Sequence, residues 1–221
     1  MTVRLPLTDA AQPVTRVLAL GCHSDDIEIG CGATLLALTR ARPDVEVTWV
    51  VLGAAGDRAL EARASAGRFL EAAERAEVVV HGFRDGFFPY VGADVKDVFE
   101  QVKATIDPQV VFTHTRFDLH QDHRLVCELT WNTFRDHLIF EYEVPKYDGD
   151  LGTPNLFVPI TRELAEEKAR LVFEAFPTQS EKHWFEAEVF LGLMRLRGME
   201  CRSPSGYAEA FMCRKLSLAV A

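Results

Sequence analysis

Apolar and polar positions follow two alternating periods along the chain. Val17-Leu18-Ala19-Leu20-Gly21-Cys22 is a short apolar run that stops at His23-Ser24-Asp25-Asp26, as a strand buried on both faces of a parallel sheet would. Beyond Gly30 and Gly32, the leucines at 35, 36 and 38 fall at helical spacing and predict a helix over 33–40, stopped by Pro43-Asp44. A valine-rich strand over 45–52 runs into the Gly53-Ala54-Ala55-Gly56 loop, and a charged helix follows over 59–75. The same alternation predicts strands at 77–80 and 110–113 and helices at 94–106 and 122–137. Residues 138–144 read as a further strand and 147–155 as a loop. A strand at 156–160, helices over 163–176 and 184–197, and a last strand near 211–216 complete the chain.

Regular alternation of strand and helix implies a Rossmann-like, three-layer α/β domain with a mostly parallel central sheet and helices on both faces. There is no internal repeat, low-complexity tract or linker long enough to divide the chain. The expectation is one domain over 1–221 with a C-terminal elaboration from about 145.

Composition narrows the function classes. A chain of 221 residues, 48% of them hydrophobic, can bury a sizeable core without a staple; a bound metal would serve chemistry. The net charge of -9, from 33 acidic against 24 basic residues, disfavours a nucleic-acid backbone or anionic membrane as partner. Five cysteines are scattered without a Cys-x-x-Cys pair, and nowhere do eighteen apolar residues stand together. The expected setting is the reducing cytoplasm with no membrane span, and a homo-oligomer is left open.

Two polar clusters carry the chemistry. His23-Ser24-Asp25-Asp26-Ile27-Glu28 and the stretch from His114 through Asp118, His120, Asp122 and His123 each follow a predicted buried strand. Open parallel sheets place their ligands at that end of their strands. Imidazole and carboxylate are what a catalytic zinc takes, three from the protein with one position open. His23 and Asp26 supply two. Either His120 or His123 completes the set, leaving the other for proton transfer. Asp25, Asp26 and Glu28 also crowd like charges together, which is costly without a cation. A bland reading exists for each cluster alone, since aspartates cap helices and loop histidines are usually solvated; two clusters at two strand ends outweigh it.

The pattern His-Ser-Asp-Asp-x-Glu-x-Gly-x-Gly over 23–32, joined to His-x-Asp-His over 120–123, resembles the PIG-L or LmbE-like zinc-dependent N-deacetylases. Cys22 and Ser24 depart from the family's Ala-His-Pro-Asp-Asp at positions that are not ligands. The resemblance implies zinc held by His23, Asp26 and His123, with Asp25 as the base that deprotonates a metal-bound water. It also implies His120 as the acid or oxyanion donor, Asp122 as the carboxylate orienting a histidine, and Arg63 as a substrate-binding residue. The implied reaction removes an acetyl group from an N-acetylated amino sugar of the N-acetylglucosamine type or its conjugate, a small-molecule substrate. Zinc amide chemistry is physically apt, because a divalent cation polarises the carbonyl and lowers bound water's pKa from about 15.7 toward about 7. The alternatives are a zinc amidase acting on a larger amide conjugate and a metal- or sugar-binding protein without turnover. A nicotinamide-dependent oxidoreductase is disfavoured because Gly30-Cys31-Gly32 lacks the third glycine of a dinucleotide fingerprint.

Weaker signals read as structure. Cys22 and Cys31 are expected in the core, and His81, His137 and His183 have no second ligand type nearby. Arg58, Arg63 and Arg68 recur every five residues and so spread around a helix. His114 fits a residue behind the ligands. Specificity is sought at Tyr142, Glu143, Tyr147 and 203–209.

Overall fold

The structure, a computed structural model, describes residues 13–217. Its elements are β1 (Arg16–His23), α1 (Asp26–Ala41), β2 (Glu46–Gly53), α2 (Asp57–Phe69), β3 (Arg75–Val80), α3 (Gly92–Thr105), β4 (Val110–His114) and α4 (Gln121–Thr133). They continue through β5 (Leu138–Tyr142), β6 (Leu156–Ile160), α5 (Arg162–Ala175), α6 (Ala187–Glu200) and β7 (Tyr207–Met212). Short 3-10 turns lie at Phe88–Val91 and Pro177–Gln179.

The seven strands form one sheet in the order β3-β2-β1-β4-β5-β7-β6. The first five are parallel, and β7 runs antiparallel to both its neighbours, so the segment after 145 extends the same sheet. Because side chains alternate along a strand, each strand feeds two cores. Val17, Ala19, Trp49, Phe112 and Phe140 face α1, α2 and α5, while Leu18, Leu20, Val50, Val111 and Ile139 face α3 and α4. The sheet order reverses between β1 and β4, which are adjacent; this is where a doubly wound sheet opens a crevice above its carboxyl edge.

Several boundaries differ from the pattern-based expectation; α4 ends at Thr133 instead of 137, and α6 is Ala187–Glu200 instead of 184–197. Helix α1 begins at Asp26 instead of 33. Its first turns hold Gly30 and Gly32, which are poor helix formers, and tertiary packing overrides them. A Cβ on Gly30 would stand 2.1 Å from the Tyr142 ring, and one on Gly32 2.6 Å from Phe69. Helix α2 ends at Phe69, and Arg75 opens β3 by pairing with Glu46. The last strand is Tyr207–Met212 instead of 211–216, registered on β6 through Ile160 and Tyr207.

Candidate metal centre

His23 closes β1, Asp25 is the N-cap of α1 and Asp26 its first helical residue. The backbone N–H of His23 donates to Asp26 Oδ2 at 2.6 Å, which folds the carboxylate back over the strand end. Across the β1–β4 crevice, His120 is the N-cap of α4, its Nδ1 accepting from the Asp122 N–H, and His123 lies within the first turn. These two helix starts bring His23 Nδ1 and His123 Nε2 to 3.1 Å, and each nitrogen to 3.5 Å from Asp26 Oδ2. Ligand atoms about 2.0–2.1 Å from a tetrahedral zinc stand about 3.3 Å apart, so this triangle fits such an ion. Burial alone would raise the Asp26 carboxyl, but His123, His114 and His23 outweigh it and hold the group well below the usual carboxylate range.

Each imidazole meets carboxylate on its far side. His123 Nδ1 lies 2.9 Å from Asp118 Oδ2, and His23 Nε2 lies 3.1 Å from Asp85 Oδ1 and 3.4 Å from Asp122 Oδ2. Such partners set the tautomer of a ligating histidine. Asp122 also accepts from the Gly86 and Phe88 N–H groups, pinning the loop that carries Asp85.

Three further groupings share these atoms: His23 with His120 and His123, Cys22 and His114 with Asp26 and His123, and His23 with Asp85, His120 and Asp122. Cys22 is fully buried, and burial, reinforced by Asp26, raises its thiol well above the usual range. His114 Nε2 is engaged by the Cys22 N–H at 3.1 Å, and burial lowers its pKa to about 4. It stacks behind His123 with ring centroids 3.9 Å apart.

The triangle opens onto a cavity of ≈ 250 Å³, whose lining also includes Asp25, Arg58, Asp85, His120, Tyr147, Lys182 and Trp184. Asp25 Oδ2 is buried without a hydrogen-bond partner, while Oδ1 is 3.9 Å from Arg58 Nη2. Burial, with Asp26, raises the Asp25 carboxyl against the pull of Arg58 and His23. Burial and the neighbouring His123 and His23 lower His120.

The structure therefore brings His23, Asp25, Asp26, His120, Asp122 and His123 together. It does not bring Arg63 there: that side chain is exposed and donates to the Val78 carbonyl at 3.2 Å. The arginine on the cavity wall is Arg58, at the start of α2, bonded to Ser24 Oγ and Asp85. Of the expected specificity positions, Tyr147 lines the cavity. Tyr142 is buried and donates to the Leu20 carbonyl, and Glu143 pairs with Arg197. Asp118 stood unassigned inside the second cluster, and Asp85 follows β3 without a local signal. Trp184 opens the stretch expected as a helix over 184–197 and Lys182 precedes it; the helix itself starts at Ala187, which leaves both in the connecting turn.

An α/β sheet with a His–Asp–His triangle at its switch point, an uncommitted carboxylate beside it and a cavity in front has the build of a metal-dependent hydrolase site. The sequence model of the family described as "PIG-L: GlcNAc-PI de-N-acetylase" matches residues 18–134, just over half of the chain, and the chain belongs to this family. No curated protein sequence matches it. Among solved structures, it is similar to N,N'-diacetylchitobiose deacetylase from Pyrococcus horikoshii, with 22% identity, 94% of this chain and 85% of that one covered, and TM-score 0.66. The A40926 pseudoaglycone deacetylase Dbv21 shares 17% identity over 93% of this chain and 99% of that one, TM-score 0.66. The 4-carboxy-2-hydroxymuconate hydratase GalB from Pseudomonas putida KT2440 has TM-score 0.66 at 16% identity, over 94% of this chain and 99% of that one. At these identities the likeness is one of fold, and the fold carries more than one chemistry. No helix among the described residues is long and apolar enough to cross a membrane.

Proposed function

We propose that the chain is a zinc-dependent N-deacetylase that removes the acetyl group from an N-acetylated amino sugar of the N-acetylglucosamine type or its conjugate. The observation that supports it most is the His23–Asp26–His123 triangle beside the unpartnered Asp25 Oδ2 on the cavity wall. Membership of a family described as a GlcNAc-PI de-N-acetylase points the same way. Two nitrogens and a carboxylate oxygen suit zinc, and His23, Asp26 and His123 would hold it. When bound, the ion supplies Lewis acidity toward the amide carbonyl and toward a water in the open position.

The chain's own residues do the rest. Asp25 is next in sequence to a ligand but has a free oxygen, and it accepts the proton of the attacking water. Arg58 keeps that carboxylate available as an acceptor and fixes Asp85 against His23. His120 receives the Asp122 N–H on Nδ1, so its neutral form carries the proton on Nε2. That N–H donates to the developing oxyanion, and the proton that Asp25 took from water passes to the amide nitrogen, so that the C–N bond breaks and the amine leaves neutral. Trp184, in the cavity lining, offers an apolar surface to a sugar ring.

The test is metal analysis of the purified protein, followed by an assay for primary-amine release from a panel of N-acetylglucosamine conjugates before and after chelation. One equivalent of zinc and chelator-sensitive release are expected. One equivalent of zinc with no release from any conjugate would turn the reading to an amidase for larger conjugates or to a binding protein.

A further inference from the structure

A buried ion pair far from the cavity is built into the helix that carries the metal-binding turn. Lys168 of α5 and Glu209 of β7 are almost fully buried, with Nζ 2.5 Å from Oε1. In an unbroken α-helix the Ala33 N–H donates to the Ile29 carbonyl. Here Lys168 Nζ donates to Ile29 O at 2.6 Å and the Ala33 N–H donates to Glu209 Oε1 at 3.0 Å. Thr34 adds its N–H and its hydroxyl to Glu209 Oε2, at 2.7 and 2.6 Å. Both ends of the Ile29–Ala33 rung are thus engaged from outside by the pair, while α1 runs without a break from Asp26 to Ala41.

The turns ahead of this rung are the ones that matter to the site. The Ile29 N–H donates to the Asp25 carbonyl at 3.1 Å, so Ile29 links the backbone of Asp25 on one side to Lys168 on the other. Tyr142 against Gly30 and Phe69 against Gly32 clamp the same turns laterally. A metal and a base need placement within about 0.5 Å, and polar glycine-containing turns do not supply that by propensity. Neither Lys168 nor Glu209 lines the cavity, and both lie outside the segment that the family model matches.

We propose that the Lys168–Glu209 pair is a positioning device for Asp25 and Asp26: the C-terminal part of the chain reaches back through α1 and sets the geometry of the metal-binding turn. The proposal rests on the reading of Asp26 as a ligand and Asp25 as the base. Two full-length variants test it, Glu209→Gln and the double variant Lys168→Met with Glu209→Gln, which leaves no unpaired charge buried. Fold is followed by circular dichroism at 20 °C (~room temperature, where stability is near its maximum), and zinc affinity by chelator competition. The imidazole Cε1–H signals of His23 and His123 are recorded in the metal-free protein.

The expected result is a folded protein whose zinc affinity falls about 10–100-fold, the range for residues that support ligands from behind. Turnover should drop with KM unchanged, and the imidazole signals should shift. A folded variant with wild-type zinc affinity, turnover and imidazole signals overturns the proposal, as does failure of both variants to fold, which makes the pair a stability element only. If the wild-type protein takes up no zinc, the proposed function fails by itself and the imidazole signals decide the pair: displaced they support it, unmoved they overturn it.

Discussion

His123 Nδ1 lies 2.9 Å from Asp118 Oδ2, and the same oxygen is 2.9 Å from Lys146 Nζ. The carboxylate is thereby held on one side by a cation and fixes the imidazole on the other, leaving Nε2 to point at Asp26. Burial would raise the Asp118 carboxyl, but His123 and Lys146 with His114 pull it well below the usual range. Asp118→Asn should lower zinc affinity about 10–100-fold while the fold persists, as measured by chelator competition on protein that retains its circular dichroism.

Asp25 and the proposed metal ligands should separate in their effects. Asp25→Ala should keep its full zinc content and lose about 10²- to 10⁴-fold in turnover, the usual contribution of a general base. Elemental analysis beside an amine-release assay reads both. Loss of metal with retained activity would reverse the assignment of base and ligand.

The two arginines of α2 provide a contrast. Arg58 lines the cavity and contacts Ser24, Asp85 and Asp25, whereas Arg63 is exposed and bonds only the Val78 carbonyl. Arg58→Ala should reduce kcat/KM about tenfold, the scale of one lost charged contact of about 1.4 kcal/mol. Arg63→Ala should leave it unchanged. Steady-state kinetics of the pair would expose a wrong choice if the order were reversed.

Gly30 is a steric requirement. A side chain there meets Tyr142 Cδ2 at 2.1 Å, and the ring cannot retreat because its hydroxyl is bonded to the Leu20 carbonyl at 2.6 Å. Gly30→Ala should cost about 3 kcal/mol, the upper part of the range for overpacking a core. Urea denaturation followed by fluorescence measures it.

The cysteines predict a labelling pattern. Burial is the largest cause raising the thiols of Cys22, Cys31 and Cys127, so the reactive thiolate is scarce at pH ~8, near the ordinary thiol pKa. Intact-mass analysis after iodoacetamide should find these three unmodified until the protein is denatured. The partly exposed Cys201 should react in the native state.

Much of this molecule is written in local pattern. Apolar runs of strand length ended by His23 and by His114 mark the carboxyl edge of the sheet, and the spacing of His23 to Asp26 and of His120 to His123 needs only one turn of chain to converge. Those signals are short-range, so the strand–helix alternation and the six residues grouped at the site were legible from them. The start of α1 was not, because glycine propensity argued against a helix that Tyr142 and Phe69 impose from outside. The family resemblance points to Arg63, and only the entry of α2 onto the sheet shows that Arg58 is the arginine lining the cavity. Asp85, Lys182 and Trp184 are brought to the site by loops distant in sequence.

By itself, then, the sequence determined the layered α/β architecture and the metal-type clusters, since periodicity and ligand spacing are properties of neighbouring residues. The tertiary structure decided which nitrogen of His23 and of His123 faces Asp26, which carboxylates stand behind them, and which residues line the cavity. It also decided the tie from Glu209 and Lys168 back to α1. Apart from Asp118, which stands only five residues from His123, these depend on contacts between residues tens to more than a hundred positions apart, such as Lys168 and Ile29, and such contacts exist only once the sheet order has closed.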